Sequence, residues 1–163
     1  MNNPTEWSFA FFDLGAKEAA RRARLHRNLR DVGAAIHSQS VYCMPYSQHS
    51  FQRLKKLDDG MFVVKADVDH IEVSKLVEAY DSFIVTLMEA VDQKMIELED
   101  AKASSTDRAS KRGYTKRLYK QQERLEQLEY ITSLRSTPEF VDKVEEFRKR
   151  ISAIDEYEPG KLI

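Results

Sequence analysis

Trp7-Ser8-Phe9-Ala10-Phe11-Phe12-Asp13, with Leu14-Gly15 and a run of arginines directly behind it, is the stretch on which the reading of this chain turns. It is short, aromatic-rich and closed by Asp-Leu-Gly, the pattern of a buried strand. Residues 16 to 32 read as a helix. Leu25, Leu29 and Val32 form its apolar stripe, Ala16, Ala19, Ala20 and Ala23 a small-residue face beside it. Gly33 is placed to end that helix in the left-handed conformation. Residues 34 to 46 read as two short strands meeting near Ser38 to Ser40, with β-prone Val41, Tyr42 and Met44. A shorter helix carrying Phe51, Leu54 and Leu57 follows, then the turn Asp58-Asp59-Gly60 and a last strand from Met61 to Val64.

The order strand, helix, strand, strand, helix, strand is the ferredoxin-like βαββαβ arrangement. Beyond Asp69 the period becomes helical. Val73, Val77, Tyr80, Ile84, Leu87, Val91, Met95 and Leu98 recur at spacings of three and four. Ser104-Ser105-Thr106-Asp107 breaks the pattern and offers caps for a second helix seamed by Tyr114, Leu118, Gln121, Leu125, Leu128 and Ile131. Thr137-Pro138 opens a third, seamed by Phe140, Val144, Phe147, Ile151 and Ile154. The expected fold is therefore α+β: a ferredoxin-like domain over residues 6–69, a long antiparallel helical hairpin plus third helix over 70–154, and an irregular tail over 155–163.

Composition narrows the class. The chain has 163 residues, 33% charged and 42% hydrophobic, which suits a helix-rich protein with strongly solvated faces. No apolar run approaches the ~20 residues that span a bilayer, and Met1 to Glu6 lacks the features of a signal peptide. Cys43 is the only cysteine, so no intrachain disulfide forms and a reducing, cytoplasmic setting is expected. A formal net charge of -1 argues against a generic polyanion binder, but its distribution is uneven. Asp67 to Asp100 holds acids at 67, 69, 72, 78, 81, 89, 92, 97, 99 and 100 against Lys75 and Lys94. Thr106 to Arg124 holds bases at 108, 111, 112, 116, 117, 120 and 124 against Asp107 and Glu123. If the two helices are antiparallel neighbours, mutual pairing accounts for this segregation.

The N-terminal motifs also carry a family resemblance. Trp7 to Asp13, then Ala20-Arg21-Arg22-Ala23-Arg24-Leu25-His26-Arg27-Asn28-Leu29-Arg30-Asp31-Val32-Gly33, then Ser40-Val41-Tyr42-Cys43-Met44-Pro45, resembles the N-terminal domain of bacterial chromate-resistance regulators. That family shows an apolar strand, an arginine-bearing helix and a Ser-Val-Tyr strand, and the resemblance extends over residues 7 to 154. The start is similar too to the CRISPR-associated integration subunit and to the middle domain of phenylacetate-catabolism repressors. In the CRISPR group an acid at the position of Asp13 meets its twofold mate around a divalent metal. The resemblance to the regulators implies transcription regulation and DNA binding; chromate enters only through it.

Candidate residues follow from chemistry. One carboxylate, Asp13, holds Mg²⁺ only with waters, phosphates or a second copy as further ligands; the commoner role at this position is to cap the helix beginning near Ala16. Lys17, Arg21, Arg24 and Asn28 share one helical face that can track phosphates, with Arg22, Arg27 and Arg30 spread elsewhere. The competing reading is a solvated surface in which Arg27 and Arg30 pair with nearby acids. Arg108, Lys111, Arg112, Lys116, Arg117 and Lys120, interleaved with Tyr114 and Tyr119, combine charge for phosphates with rings for stacking. Asp67, Asp69, His70 and Glu72 match no metal-site spacing, and acids are usual in a first helical turn. His26, His37 and His49 are scattered; Cys43 reads as a buried, inert thiol. Neither a glycine-rich phosphate loop nor a nucleophile elbow is present.

The expected function is a non-enzymatic regulatory or nucleic-acid-binding protein, acting as a homodimer through its sheet and needing no cofactor. Its phosphate contacts would be Arg21, Arg22, Arg24, Arg108, Lys111 and Arg112. A metal-dependent nuclease using Asp13 and Mg²⁺ at a dimer axis is the enzymatic alternative, and a protein-interaction scaffold the third.

Overall fold

Strand β1, Glu6–Phe11, sits inside a four-stranded sheet of order β2-β3-β1-β4, in which every neighbouring pair is antiparallel. The computed structural model describes residues 3–38, 40–104 and 108–155, and only the backbone of 102–104, 108–112 and 155. After β1 come a 3-10 turn (Ala16–Glu18), α1 (Ala19–Asp31), β2 (Ala35–Ser38), β3 (Val41–Pro45), α2 (Gln48–Lys55) and β4 (Phe62–Asp67). Three long helices follow: α3 (His70–Ser104), α4 (Arg108–Leu134) and α5 (Pro138–Asp155). The fold is α+β. Strand β4 runs three residues beyond the expected Val64, because Lys65, Ala66 and Asp67 continue the ladder opposite Ser8, Trp7 and Glu6. The tail beyond Asp155 lies outside the described residues, as do Ser105, Thr106 and Asp107 of the expected break.

By its contacts the chain divides into two compact units, Met1–Ile84 with Ser133–Arg135, and Val85–Thr132 with Ser136–Ile163. His70 to Ile84 of α3 thus belong with the sheet. Alternation sends Ser8 and Ala10 to one sheet face and Trp7, Phe9 and Phe11 to the other. Ser8, Ala10, Tyr42 and Met44 are all buried, and α1 closes this side with Leu25 and Leu29. On the opposite side Trp7 meets Tyr80 of α3 edge-on, with ring centroids 5.8 Å apart. The Tyr80 hydroxyl donates to the Gly33 carbonyl at 2.7 Å in a buried bond. Gly33 itself has φ 96°, a left-handed conformation that an L-side chain disfavours.

The helix ends follow their sequence signals. Ser47 and Ser50 form a reciprocal capping box on α2. Asp69 accepts from the amides of Ile71 and Glu72 at the start of α3. Thr137 accepts from Phe140 N–H, with Pro138 in the first helical position.

In the second unit the seams read from the sequence are the core but for Leu87, which is half-buried while its neighbour Met88 is buried: Val91, Met95, Leu98, Tyr114, Leu118, Leu125, Leu128, Ile131, Phe140, Val144, Phe147, Ile151 and Ile154 are buried. Gln121, also buried, donates to the Val91 carbonyl at 2.8 Å. Among the described residues, acids of α3 pair with a base of α5. Arg150 of α5 holds Asp92 at 2.6 Å and also Glu99. These acids are seven residues apart and so share a face of α3. Lys116, Lys120 and Arg124 of α4 stay exposed. No described helix is long and apolar enough to cross a membrane.

The Tyr80–Gly33 bond gives the first test. Tyr80→Phe removes the only donor of that side chain while keeping its ring, so stability should fall by about 1 kcal/mol in urea titration. An unchanged midpoint would show that the hydroxyl does not matter to folding.

Candidate nucleic-acid interface

Helix α1 turns Leu25 and Leu29 inward. At 3.6 residues per turn, Arg24, Arg27 and Arg30 then fall on the outward face. All three are exposed, and none has a carboxylate within ion-pair distance among the described residues. The expected pairing of Arg27 and Arg30 with neighbouring acids is therefore not what the structure shows: the nearest acid in sequence, Asp31, leaves both unpaired.

Arg21 and Arg22 have different surroundings. Arg21 makes a two-pronged contact with Asp58, its Nε donating at 3.0 Å, and its remaining arm reaches Glu18 at 3.1 Å. Asp58 also accepts from the Gly60 amide at 2.8 Å. A Cβ at Gly60 would lie 2.9 Å from the Arg21 guanidinium, so a side chain there would push the arginine tip aside. The hydrogen bond and charge of Arg21 hold the Asp58 carboxyl below its ordinary range, and Asp58 in turn raises Arg21. Arg22 donates to the carbonyls of Leu14 and Gly15, closing the loop after β1. Of the three α1 arginines named from the sequence, only Arg24 points outward unpaired.

Beside this ridge lies a cleft of about 360 Å³ walled by Arg27 and Arg30, with Ile36, Tyr42, His26 and Phe83 around it. The Tyr42 hydroxyl is hydrogen-bonded to His26 Nδ1. Phe12 supports both rings, edge-on to His26 at 5.4 Å and stacked with Tyr42 at 6.3 Å. Burial raises the Tyr42 hydroxyl above its usual pKa, against the opposing charge of Arg30. The scattered histidines gave no hint of this grouping, because His26 meets Tyr42 only across the sheet and helix.

The other candidates separate clearly. Asp13 is exposed just past β1 and does not cap the following helix. Gly15 holds the cap position of the 3-10 turn, and neither that turn nor α1 has a side-chain cap bond. Leu14 and Gly15 intervene, and Arg22 takes up their carbonyls. Among the described residues no three His, Cys, Asp or Glu side chains gather in a way that would hold a metal; Mg²⁺ at Asp13 would need waters, phosphates or a second copy as its further ligands. Asp69 serves as a helix cap. Cys43 is buried, which pushes its thiol up to about 12, far from a thiolate at neutral pH. Arg108, Lys111 and Arg112 lie on the first turns of α4, and their side chains are outside the described residues. No protein family, no curated protein and no solved structure matches this chain.

The Arg21–Asp58 contact carries a pH test. A carboxyl held below its usual pKa stabilises the fold fully above that usual range, and the stabilisation fades as pH falls through its lowered value. Asp58→Asn should therefore melt earlier than the wild type at pH 7, and the gap should close on acidification toward pH ~2, below the carboxylate range. A gap that stays constant with pH would mean the contact contributes no charge-dependent stability.

Proposed function

We propose that the chain is a non-enzymatic regulatory module that binds nucleic acid through the outward face of α1. The observation that carries this reading is the row Arg24, Arg27 and Arg30: three exposed guanidinium groups, three residues apart on α1, with no acid within ion-pair distance among the described residues. In a chain whose formal net charge is only -1, an unneutralised row of one sign is a local anion-binding surface. Arg21 and Arg22 act instead as the supports of the loops on either side. Arg108, Lys111 and Arg112 remain proposed contacts on the strength of the sequence alone.

The same reading takes the first unit as a ferredoxin-like βαββαβ domain. Its element order and its antiparallel strand order β2-β3-β1-β4 support that reading. Together with the N-terminal resemblance to chromate-resistance regulators, this favours regulation over catalysis.

Fluorescence anisotropy with labelled DNA and RNA tests the proposal. Affinity should fall steeply from about 50 to 200 mM salt, with a slope of about 0.7–0.9 per neutralised phosphate. Reversing Arg24, Arg27 and Arg30 to Glu should abolish binding, whereas single Ala variants should each flatten the slope by about one unit. Binding that is absent at low salt, or indifferent to these substitutions, would refute it.

A second reading, self-association, has its own observation. Strand β4 is an edge strand, and beside it Phe62 is 65% exposed, Val64 42% and Phe11 38%. Phe11 and Phe62 stack with centroids 5.3 Å apart, so they form one apolar patch rather than isolated side chains. We expect a homodimer through this edge. Sedimentation equilibrium should show a dimer that Phe62→Lys converts to a monomer; a wild-type monomer at every concentration would rule the interface out.

A further inference from the structure

We infer that the cleft beside α1 receives one unpaired base, which makes single-stranded DNA or RNA the preferred partner. This inference rests on the nucleic-acid reading of Arg24, Arg27 and Arg30 and names the class of strand that such a surface takes.

The arrangement of polar and apolar groups leads there. Arg27 and Arg30 are both on the outward row and on the wall of the cleft, so one pair of guanidinium groups borders a surface and a recess together. The recess itself is apolar and aromatic: Phe83 and Ile36 line it with Tyr42, whose hydroxyl is already engaged by His26. Ile36 is 56% exposed, an apolar side chain left largely in water at the mouth of the cleft. Phe83 is held from behind by Tyr80, with ring centroids 5.5 Å apart, so its position is fixed by the same residue that anchors α3.

Cations at the rim and rings within are the two components that single-strand binding combines, charge for the backbone and a π-face for the base. The size of the cleft sets the stoichiometry. About 360 Å³ lies near the lower end of small-molecule pockets, room for one ring system. A base paired inside a duplex keeps its faces stacked and cannot enter such a recess without being unstacked, which costs a few kcal/mol. An already unpaired base enters without that cost, and the preference for single strands follows. Arg27 and Arg30 also offer flat guanidinium faces on which a neighbouring base can stack.

A free nucleotide presents the same chemistry, an aromatic ring with a phosphate, so the experiment includes one. The probe is a short oligonucleotide carrying 2-aminopurine at one internal position, whose fluorescence is quenched by stacking. It is compared with the same oligonucleotide annealed to its complement and with adenosine monophosphate. The inference expects the single strand to bind at least tenfold more tightly than the duplex, with a change in 2-aminopurine emission at saturation. Phe83→Ala should weaken the single strand about tenfold and leave duplex affinity unaltered. Ile36→Ser, at an exposed position, gives the same readout without disturbing the core and should reduce the emission change.

Failure of every nucleic acid to bind at low salt would remove the nucleic-acid reading and this inference with it. Equal affinity for single strand and duplex with unchanged 2-aminopurine emission would overturn this inference alone. Adenosine monophosphate binding as tightly as the oligonucleotide would overturn it in favour of a nucleotide site.

Discussion

The hydrogen bond from the Tyr80 hydroxyl to the Gly33 carbonyl is the contact on which the first unit is organised. It joins the start of the long helical part to the turn between α1 and β2, two places 47 residues apart. Gly33 must be left-handed to present its carbonyl there, and that conformation also swings Ala34 and Ala35 into the buried base of β2. Tyr80 simultaneously closes over Trp7, covering one end of a sheet face whose other end, at Phe11 and Phe62, stays open. A single phenol therefore fixes which part of the sheet is core and which is surface. Its ring also packs against Phe83, which lines the cleft beside α1.

Helix α1 shows how one run of like charges is divided by geometry. Arg21 and Arg22 lie toward the loops and meet Asp58 and the Leu14 and Gly15 carbonyls. Arg24, Arg27 and Arg30 begin one turn later and form no ion pair among the described residues. Charge-assisted contacts to a half-buried partner organise a fold, whereas exposed guanidinium groups contribute little to stability. Residue type alone does not separate the two roles; the presence of an acid in the Asp58-Asp59-Gly60 turn does.

Much of the architecture was legible in the sequence because it rests on local periodicity. The apolar seams of α3, α4 and α5, the cap at Thr137 and the glycine stop at Gly33 all depend on residues within a few positions of each other. The length of β4 was not legible, since Lys65 to Asp67 look polar and join the ladder only because β1 is there to pair with them. Asp13 was misread as a cap for a related reason. A carboxylate ahead of a helix is a cap only if the backbone turns at the right residue, and here the turn comes at Gly15. The cleft was invisible because Tyr42, His26 and Phe83 belong to a strand and two helices that the chain brings together at long range.

In the second unit, Arg150 touches Asp92 and Glu99, two acids that sit two helical turns apart along α3. Such a clasp acts as a vernier between α5 and α3. A slide of one turn, about 5.4 Å, would still present apolar residues to apolar residues, because the seams repeat. It would carry Arg150 away from one acid or both. The repeating core supplies cohesion without choosing among equivalent alignments, and the off-centre arginine makes one alignment different from its neighbours.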